Sequence, residues 1–280
     1  MEVPASRIAR ALGRAVTGST ALAGGSVARV HLVTLERGGR VVAKLGPGLE
    51  PEGWMLGYLA SRTTLPVPHV VLAEDDLLLL EYVPAGGGIS ASVEAHAADL
   101  LARLHEVTWH SFGAERDTVI GGLLQPNPPA RSWVEFFRDW RVLFMAREAL
   151  AAGRLSPDLM ARIETLAGRL DRWLDEPDQP RLIHGDCWGG NVLARDGRVA
   201  AFIDPAIYYA DPEVELAFAT LFGTFGEAFF ARYGEHRPLR PGFWEARREL
   251  YLLYPLLVHV RLFGGSYAAE VERIVDRFLG

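Results

Sequence analysis

The stretch His184-Gly185-Asp186-Cys187-Trp188-Gly189-Gly190-Asn191, with Asp204 thirteen residues beyond Asn191, constrains this chain more than any other feature. A short apolar run, Arg181-Leu182-Ile183, leads into it. Between Asn191 and Asp204 the residues read as strand (Val192–Ala194), turn (Arg195–Arg198) and strand (Val199–Ile203). A hairpin of that length brings the chain back to where it started. Asp204 is therefore expected beside Asn191. Asp186 can accept a proton from a hydroxyl, and Asn191 and Asp204 can hold a divalent cation against phosphate oxygens. Those are the groups phosphoryl transfer requires. Two competing readings stand beside this one: a surface loop with His184 as a satisfied buried histidine, and a set of hydrolase metal ligands.

Lys44 is the second constraint, because it is the only lysine in the chain. It ends the apolar run Val41-Val42-Ala43-Lys44-Leu45. That run follows the turn Arg37–Arg40 and an earlier strand-like run, Val30–Leu35, so the lysine sits on the second strand of a hairpin. A compact ammonium suits phosphate. Upstream, Gly24, Gly25 and Ser26 form a flexible turn whose amides could lie over phosphates. Glu52 opens the next helical segment and is the expected partner of Lys44, with Glu50 as competitor. The scarcity of lysine beside many arginines also fits a coding bias, which does not explain where the one lysine sits.

The chain of 280 residues is long enough for two lobes around a sizeable core. Its net charge of −6 argues against nucleic acid or an anionic membrane surface as the main partner. One cysteine excludes an internal disulfide and suits a reducing cytoplasm. No apolar stretch reaches membrane-spanning length without interruption. The basic amphipathic segment Ser6–Arg14 reads as a surface helix rather than a secretory leader. A monomer is expected.

The fold class expected is α+β. Residues 1–83 carry the glycine turn, the Lys44 hairpin, one helix and two further strands, Val67–Ala73 and Leu77–Val83. Residues 84–280 are mainly helical, with helices over Ser92–Val107, Ser132–Leu150, Asp158–Leu174, Glu213–Phe222, Gly242–Phe263 and Tyr267–Phe278. The run Leu77–Val83 meets Pro84-Ala85-Gly86-Gly87-Gly88, which reads as a hinge near 81–88. Backbone groups of Glu81 and Val83 there could hydrogen-bond adenine.

These motifs resemble those of the fructosamine kinase (ketosamine-3-kinase) family, related to aminoglycoside phosphotransferases and choline kinases. HGDCWGGN is similar to that family's HGDLWSGN. Asp204-Pro205-Ala206-Ile207-Tyr208-Tyr209 is similar to its DPAxYY. Leu101–His105, Gln125–Asn127, Leu221–Phe225, Leu250–Tyr254 and Leu262–Tyr267 resemble further family blocks. The chain departs from the pattern at Cys187, which replaces leucine, and in a glycine that replaces serine. Ala210-Asp211-Pro212-Glu213-Val214-Glu215-Leu216-Ala217 stands where the family reads GxRExDLA, so Pro212 removes an arginine and Glu215 replaces an aspartate. Cys187 is expected to be a small buried apolar group.

The resemblance implies a protein-kinase-like two-lobed fold, with ATP and Mg²⁺ used to phosphorylate the 3-hydroxyl of a ketosamine, free or on a glycated protein. It implies phosphate contact by Lys44 braced by Glu52, metal contact by Asn191 and Asp204, and proton acceptance by Asp186. Trp188 is the expected platform under the substrate, with His259, Tyr208 and Tyr209 as further pocket residues. The alternatives are a kinase of another small hydroxyl compound and a non-catalytic nucleotide-binding protein.

Overall fold

The structure, a computed structural model, describes residues 3–22 and 28–280, so the Gly24-Gly25-Ser26 turn lies outside the described residues. The chain opens with α1 (Ala5–Leu12), the expected surface helix, followed by strands β1 (Val16–Ala21), β2 (Arg29–Leu35) and β3 (Arg40–Leu45). Helix α2 (Glu50–Arg62) and strands β4 (Val70–Ala73) and β5 (Leu77–Glu81) complete this region. The five strands form one antiparallel sheet in the order β1-β2-β3-β5-β4.

Strand alternation decides what each face of this sheet meets. Val41, Ala43 and Leu45 of β3 join Val33, Leu77, Leu79 and the fully buried Ile8 of α1 in one apolar cluster. Their neighbours face the other way, where Val42 packs with Leu78, Leu80 and Leu56 of α2. Lys44 shares the parity of Val42, so its side chain points to the α2 side. It pairs in register with Val30 of β2 and Leu78 of β5, at the centre of the sheet. Helix α2 carries Glu50 and Glu52 in its first turn with Pro51 at its start, a pattern that favours a helix N-terminus.

Helix α3 (Ala91–Leu104) begins the larger region. The Ser90 hydroxyl caps it by accepting from the Val93 N–H at 3.5 Å. A short hairpin follows, β6 (Thr118–Ile120) and β7 (Leu123–Gln125). Helices α4 (Trp133–Phe137) and α5 (Phe144–Ala151) are one continuous rod joined by a π-helical stretch over 138–143. Next come α6 (Pro157–Ala167), strand β8 (Arg181–Ile183), the hairpin β9 (Val192–Arg195) and β10 (Arg198–Phe202), and strand β11 (Tyr208–Ala210). The chain ends in α7 (Glu213–Thr220), α8 (Glu227–His236), α9 (Arg248–Phe263) and α10 (Ser266–Leu279).

One extended core fills this region, with Trp133, Phe136, Phe137, Tyr208, Tyr233, Tyr251 and Phe243 among its most buried rings. Helix α9 crosses it, buried along Leu250–Val258 despite Pro255 within it. Glu94 of α3 accepts from the Gly226 and Phe229 N–H groups, capping α8 from a neighbouring helix. Among the described residues, no helix is long and apolar enough to cross a membrane.

The expected division into a sheet region and a helical region is observed, with three differences. Strands β1, β6, β7 and β11 and helix α8 were not expected from the sequence. The expected helix over Gly242–Phe263 starts as a π-helical turn at Phe243 before becoming α-helical at Arg248. The expected helix to Leu174 ends at Ala167, with one 3₁₀ turn beyond it.

Candidate active site

The β9–β10 hairpin closes as its sequence requires. Asp196 and Gly197 form its turn with positive φ at both positions (52° and 72°), the backbone a tight two-residue hairpin favours. At its open end the Ile203 N–H donates to the Asn191 carbonyl at 3.0 Å. Asp204, one residue on, thus lies beside Asn191. Its own backbone is left-handed (φ 54°), and its carboxylate remains 37% exposed.

Asn191 is nearly buried, and its amide is oriented by two bonds. Nδ2 donates to the Asp186 carbonyl and to Asp186 Oδ2, both at 2.8 Å. This turns Oδ1 away from Asp186 and leaves it as a hard oxygen donor. Burial pushes the Asp186 carboxyl up to about 7, only partly offset by the Asn191 bond, with Asp204 and Glu215 adding repulsion.

Lys44 meets this group from the opposite side. Its ammonium bonds Glu52 Oε1 at 2.6 Å and also contacts the Asp204 carboxylate. Burial alone would pull the ammonium down, but the two carboxylates outweigh it and its pKa is raised. The competition between the two glutamates is also decided. Glu50 faces outward and forms a two-pronged pair with Arg116, at 3.0 and 2.8 Å, while Glu52 faces the lysine.

The backbone of the loop that carries Asp186 is held from below. His184 is fully buried, held in its neutral form by burial, and its Nδ1 accepts from the Asp186 N–H at 3.4 Å. The Glu215 carboxylate accepts from the N–H groups of His184 (3.2 Å) and Gly185 (2.8 Å). It also meets His105 Nε2 at 2.8 Å, and His105 Nδ1 meets the Tyr233 hydroxyl at 2.7 Å. All three supporting side chains are buried. Sequence reasoning flagged Glu215 only as a departure and His105 only as the end of a block resembling the family. The spacing of an acid ten residues after Asp204's neighbour Pro205 was the available signal.

Gly185 shows how tight this packing is. Its φ is +84°, and a Cβ there would lie 2.0 Å from the Ala206 carbonyl oxygen. The same segment is tied down by the Ala206 N–H bond to the His184 carbonyl at 2.8 Å. Gly185→Ala is expected to destabilise the protein on the order of 3 kcal/mol, from left-handed backbone strain plus overpacking. A lowered denaturant midpoint at unchanged slope checks this; an unchanged midpoint contradicts it.

The pocket residues expected from the resemblance fall into two groups. Trp188 remains 39% exposed, and its indole lies across Gly190, where a Cβ would come within 2.4 Å of the ring. His259 is half-buried, its Nδ1–H donating to the Pro255 carbonyl at 2.7 Å. Tyr208 and Tyr209 are instead buried in the core. The Arg141 guanidinium lies 3.8 Å from the centre of the Tyr208 ring. The Tyr209 hydroxyl meets that of Tyr58 on α2 at 3.0 Å. Both tyrosines therefore brace the frame, and β11 exists because they pair with Ile183 and Leu182. Cys187 is fully buried and burial raises its thiol pKa well above the ordinary range, which fits the expected inert apolar role.

The departure at Pro212 is balanced from elsewhere in the chain. Asp211 and Glu213 are buried, and Arg240 and Arg247 reach both or one of them: Arg240 contacts each, and Arg247 Nε bonds Glu213 at 2.6 Å. The Tyr251 hydroxyl donates to Asp211 at 2.8 Å. Burial still raises the Asp211 pKa, so the arginines limit the cost rather than remove it.

Comparison with known proteins agrees with this geometry. A probable ketoamine kinase of Synechocystis is 34% identical over 222 residues, covering 78% of this chain and 72% of that protein. The chloroplastic protein-ribulosamine 3-kinase of Arabidopsis thaliana is 30% identical over 246 residues, covering 84% and 73%. The crystal structure of a candidate fructosamine-3-kinase from Thermobifida fusca superposes with a TM-score of 0.88 at 32% identity, covering 99% of this chain and 98% of that one. An aminoglycoside phosphotransferase, APH(4)-Ia, shares the protein-kinase-like fold at a TM-score of 0.69 and 18% identity. The family model described as fructosamine kinase matches residues 4–280, and the chain belongs to that family.

Proposed function

We propose that this protein is an ATP-dependent kinase that phosphorylates the 3-hydroxyl of a ketosamine, the sugar adduct of an amine. The observation that carries the reading is the convergence of Lys44, Asp186, Asn191 and Asp204 on one corner, with Lys44 braced by Glu52. The names of the relatives supply the substrate class.

The geometry supports the following roles. Lys44 orients the nucleotide phosphates as a buried point charge. The Glu81 N–H is engaged by the His69 carbonyl at 2.9 Å, so the Glu81 carbonyl and the Val83 N–H are the groups we assign to adenine. They lie at the hinge we place near 81–88, where Gly86 and Gly87 dock through their N–H groups on the Ala194 carbonyl of β9. Gly24, Gly25 and Ser26 remain our candidates for the phosphate-covering turn. Asn191 Oδ1 and the Asp204 carboxylate are hard oxygen donors that fit Mg²⁺. When bound, Mg²⁺ would neutralise charge on the phosphates. Asp186 orients the acceptor hydroxyl and takes its proton, helped by a raised basicity for a carboxylate. Trp188, with its exposed indole, forms the platform for the sugar, and His259 borders it. Most of the rate enhancement then comes from positioning and electrostatics.

We place the enzyme in the cytoplasm as a monomer; its one cysteine is buried and reduced. A turnover screen tests the reading. With Mg-ATP, fructosyl- and ribulosyl-amines should be phosphorylated at least about tenfold more efficiently than aminoglycosides or choline, since each misplaced substrate hydroxyl costs about 1.4 kcal/mol or more of transition-state binding. Faster turnover of an aminoglycoside or choline would move the protein to another substrate class. Nucleotide binding without transfer to any acceptor would favour a non-catalytic role.

A further inference from the structure

Beyond Trp188, aromatic side chains continue across the surface in contact with one another. Phe222 lies 6.0 Å from the Trp188 ring centre, edge to face. His259 follows at 5.2 Å from Phe222, and His259 in turn lies 5.7 Å from Phe263 and 4.9 Å from Tyr267. Phe222 and Phe263 are 50% and 52% exposed, the latter at the end of α9. This is a contiguous exposed aromatic surface, of the kind that marks a binding site more often than a free face.

Phe222 adds an independent observation. Its backbone is left-handed (φ 62°), a conformation that a bulky residue adopts only under constraint. Such strain usually serves packing or function. Packing does not explain it, because the ring is half exposed. The constraint comes from the catalytic loop. The Thr224 hydroxyl, two residues on, is buried and accepts from the Gly189 N–H at 2.8 Å. The turn bearing Phe222 is thus fastened beside Trp188, two residues from Asp186. None of the five side chains in this wall carries a formal charge at neutral pH, since burial holds His259 in its neutral form.

We infer that Phe222 and Phe263, continuing from Trp188, form a subsite for the amine-derived half of the acceptor and select ketosamines whose amine carries an aromatic group. The inference rests on the kinase reading above. A ketosamine has two parts, and its sugar hydroxyl must lie at Asp186. The amine substituent then extends away from the sugar, and the wall begins at the sugar platform and runs outward from it. Flat rings against flat rings fit this surface, and a protonated secondary amine next to the sugar is attracted to aromatic faces.

The test compares two fructosyl-amines, the adducts of benzylamine and of glycine. The wild-type enzyme should show a higher kcat/KM for the benzylamine adduct, by about 3- to 10-fold, the size of an aromatic pair. Phe222→Gly and Phe263→Ala should each abolish most of that ratio, chiefly through KM. Phe222→Gly has a second expected effect: glycine accepts φ 62° freely, so the variant should unfold at an equal or higher denaturant concentration than wild type. Wild type without preference for the aromatic amine, or variants that lower both substrates equally, would overturn the inference while leaving the kinase reading intact. A Phe222→Gly variant that is destabilised would show the ring to be structural and likewise overturn it. If neither adduct is phosphorylated, the ribulosyl-amines of benzylamine and glycine are compared in the same way, and no transfer to those either would overturn both the ketosamine-kinase reading and this subsite.

Discussion

Asp186→Asn is expected to lower kcat by about 10²- to 10⁴-fold, the range over which a positioned proton acceptor contributes. The amide can still bond Asn191 Nδ2 through its oxygen and fill the same volume, so nucleotide affinity should change little. Stability should move the other way. The folded-state pKa of Asp186 is raised to about 7 because burial disfavours the carboxylate. A raised acid favours the folded state below its unfolded pKa and loses that contribution as pH rises through the folded value. At pH 8, without added metal, wild type therefore carries an unfavourable buried charge that asparagine removes. The variant should unfold at a denaturant concentration equal to or above that of wild type. Steady-state kinetics and a denaturation curve at pH 8 check both halves. Full activity in Asp186→Asn would remove Asp186 from the mechanism.

The second large effect is expected at Glu215, a fully buried residue beneath the loop that carries Asp186. Its carboxylate serves the His184 and Gly185 N–H groups and His105 Nε2 within a fully buried setting. Glu215→Ala leaves those donors without an acceptor. Breaking a buried charged network from one side costs about 3–5 kcal/mol, and each orphaned buried donor contributes about 1–3 kcal/mol of it. Equilibrium unfolding should show a loss of that order. Activity should fall as well, because the freed backbone is the one that carries Asp186. Glu215→Gln retains an acceptor of the same length and should recover part of both. Burial tends to raise the Glu215 pKa, but the His105 bond and charge outweigh it, so the net shift is downward. A depressed carboxylate contributes stability above its unfolded pKa and loses it as pH falls through the folded value. The Glu215→Ala deficit should therefore shrink in acid. A deficit under about 1 kcal/mol at pH 7 would show that the loop is held by other means.

Much of the site was legible because its parts are close in sequence or joined by strong local signals. The hairpin between Asn191 and Asp204 was read from two apolar runs around Asp-Gly, and its observed edges differ by one residue. Lys44 was placed on the second strand of a hairpin by the two apolar runs around the turn Arg37–Arg40. The choice between Glu50 and Glu52 was not legible. Two residues apart on a helix they point about 200° apart, so only one can face the sheet. Helix phase is set by how α2 packs on Leu78 and Leu80 and by Arg116, which lies far along the chain. Strand β11 was missed because three residues carry no usable period and pair with β8, itself three residues long, and with the single residue Gly113. Tyr208 and Tyr209 were assigned to the pocket by resemblance. Their burial follows from that pairing and from Arg141, which arrives on the π-helical stretch between α4 and α5.

The order of chemical groups along the chain, and the class of reaction they serve, were determined by sequence alone. A base, an amide and an acid around one hairpin, opposed by one lysine on a strand, need only local geometry to be recognised. The tertiary structure decided which groups hold them in place. Glu215 and Tyr233 come from two helices and His105 from the end of a third to support one loop, and Phe222 is fixed beside Trp188 by the Gly189 N–H donating to the Thr224 hydroxyl. Such contacts depend on where distant elements pack, and burial sets their strength. Neither quantity is a property of any short stretch of residues.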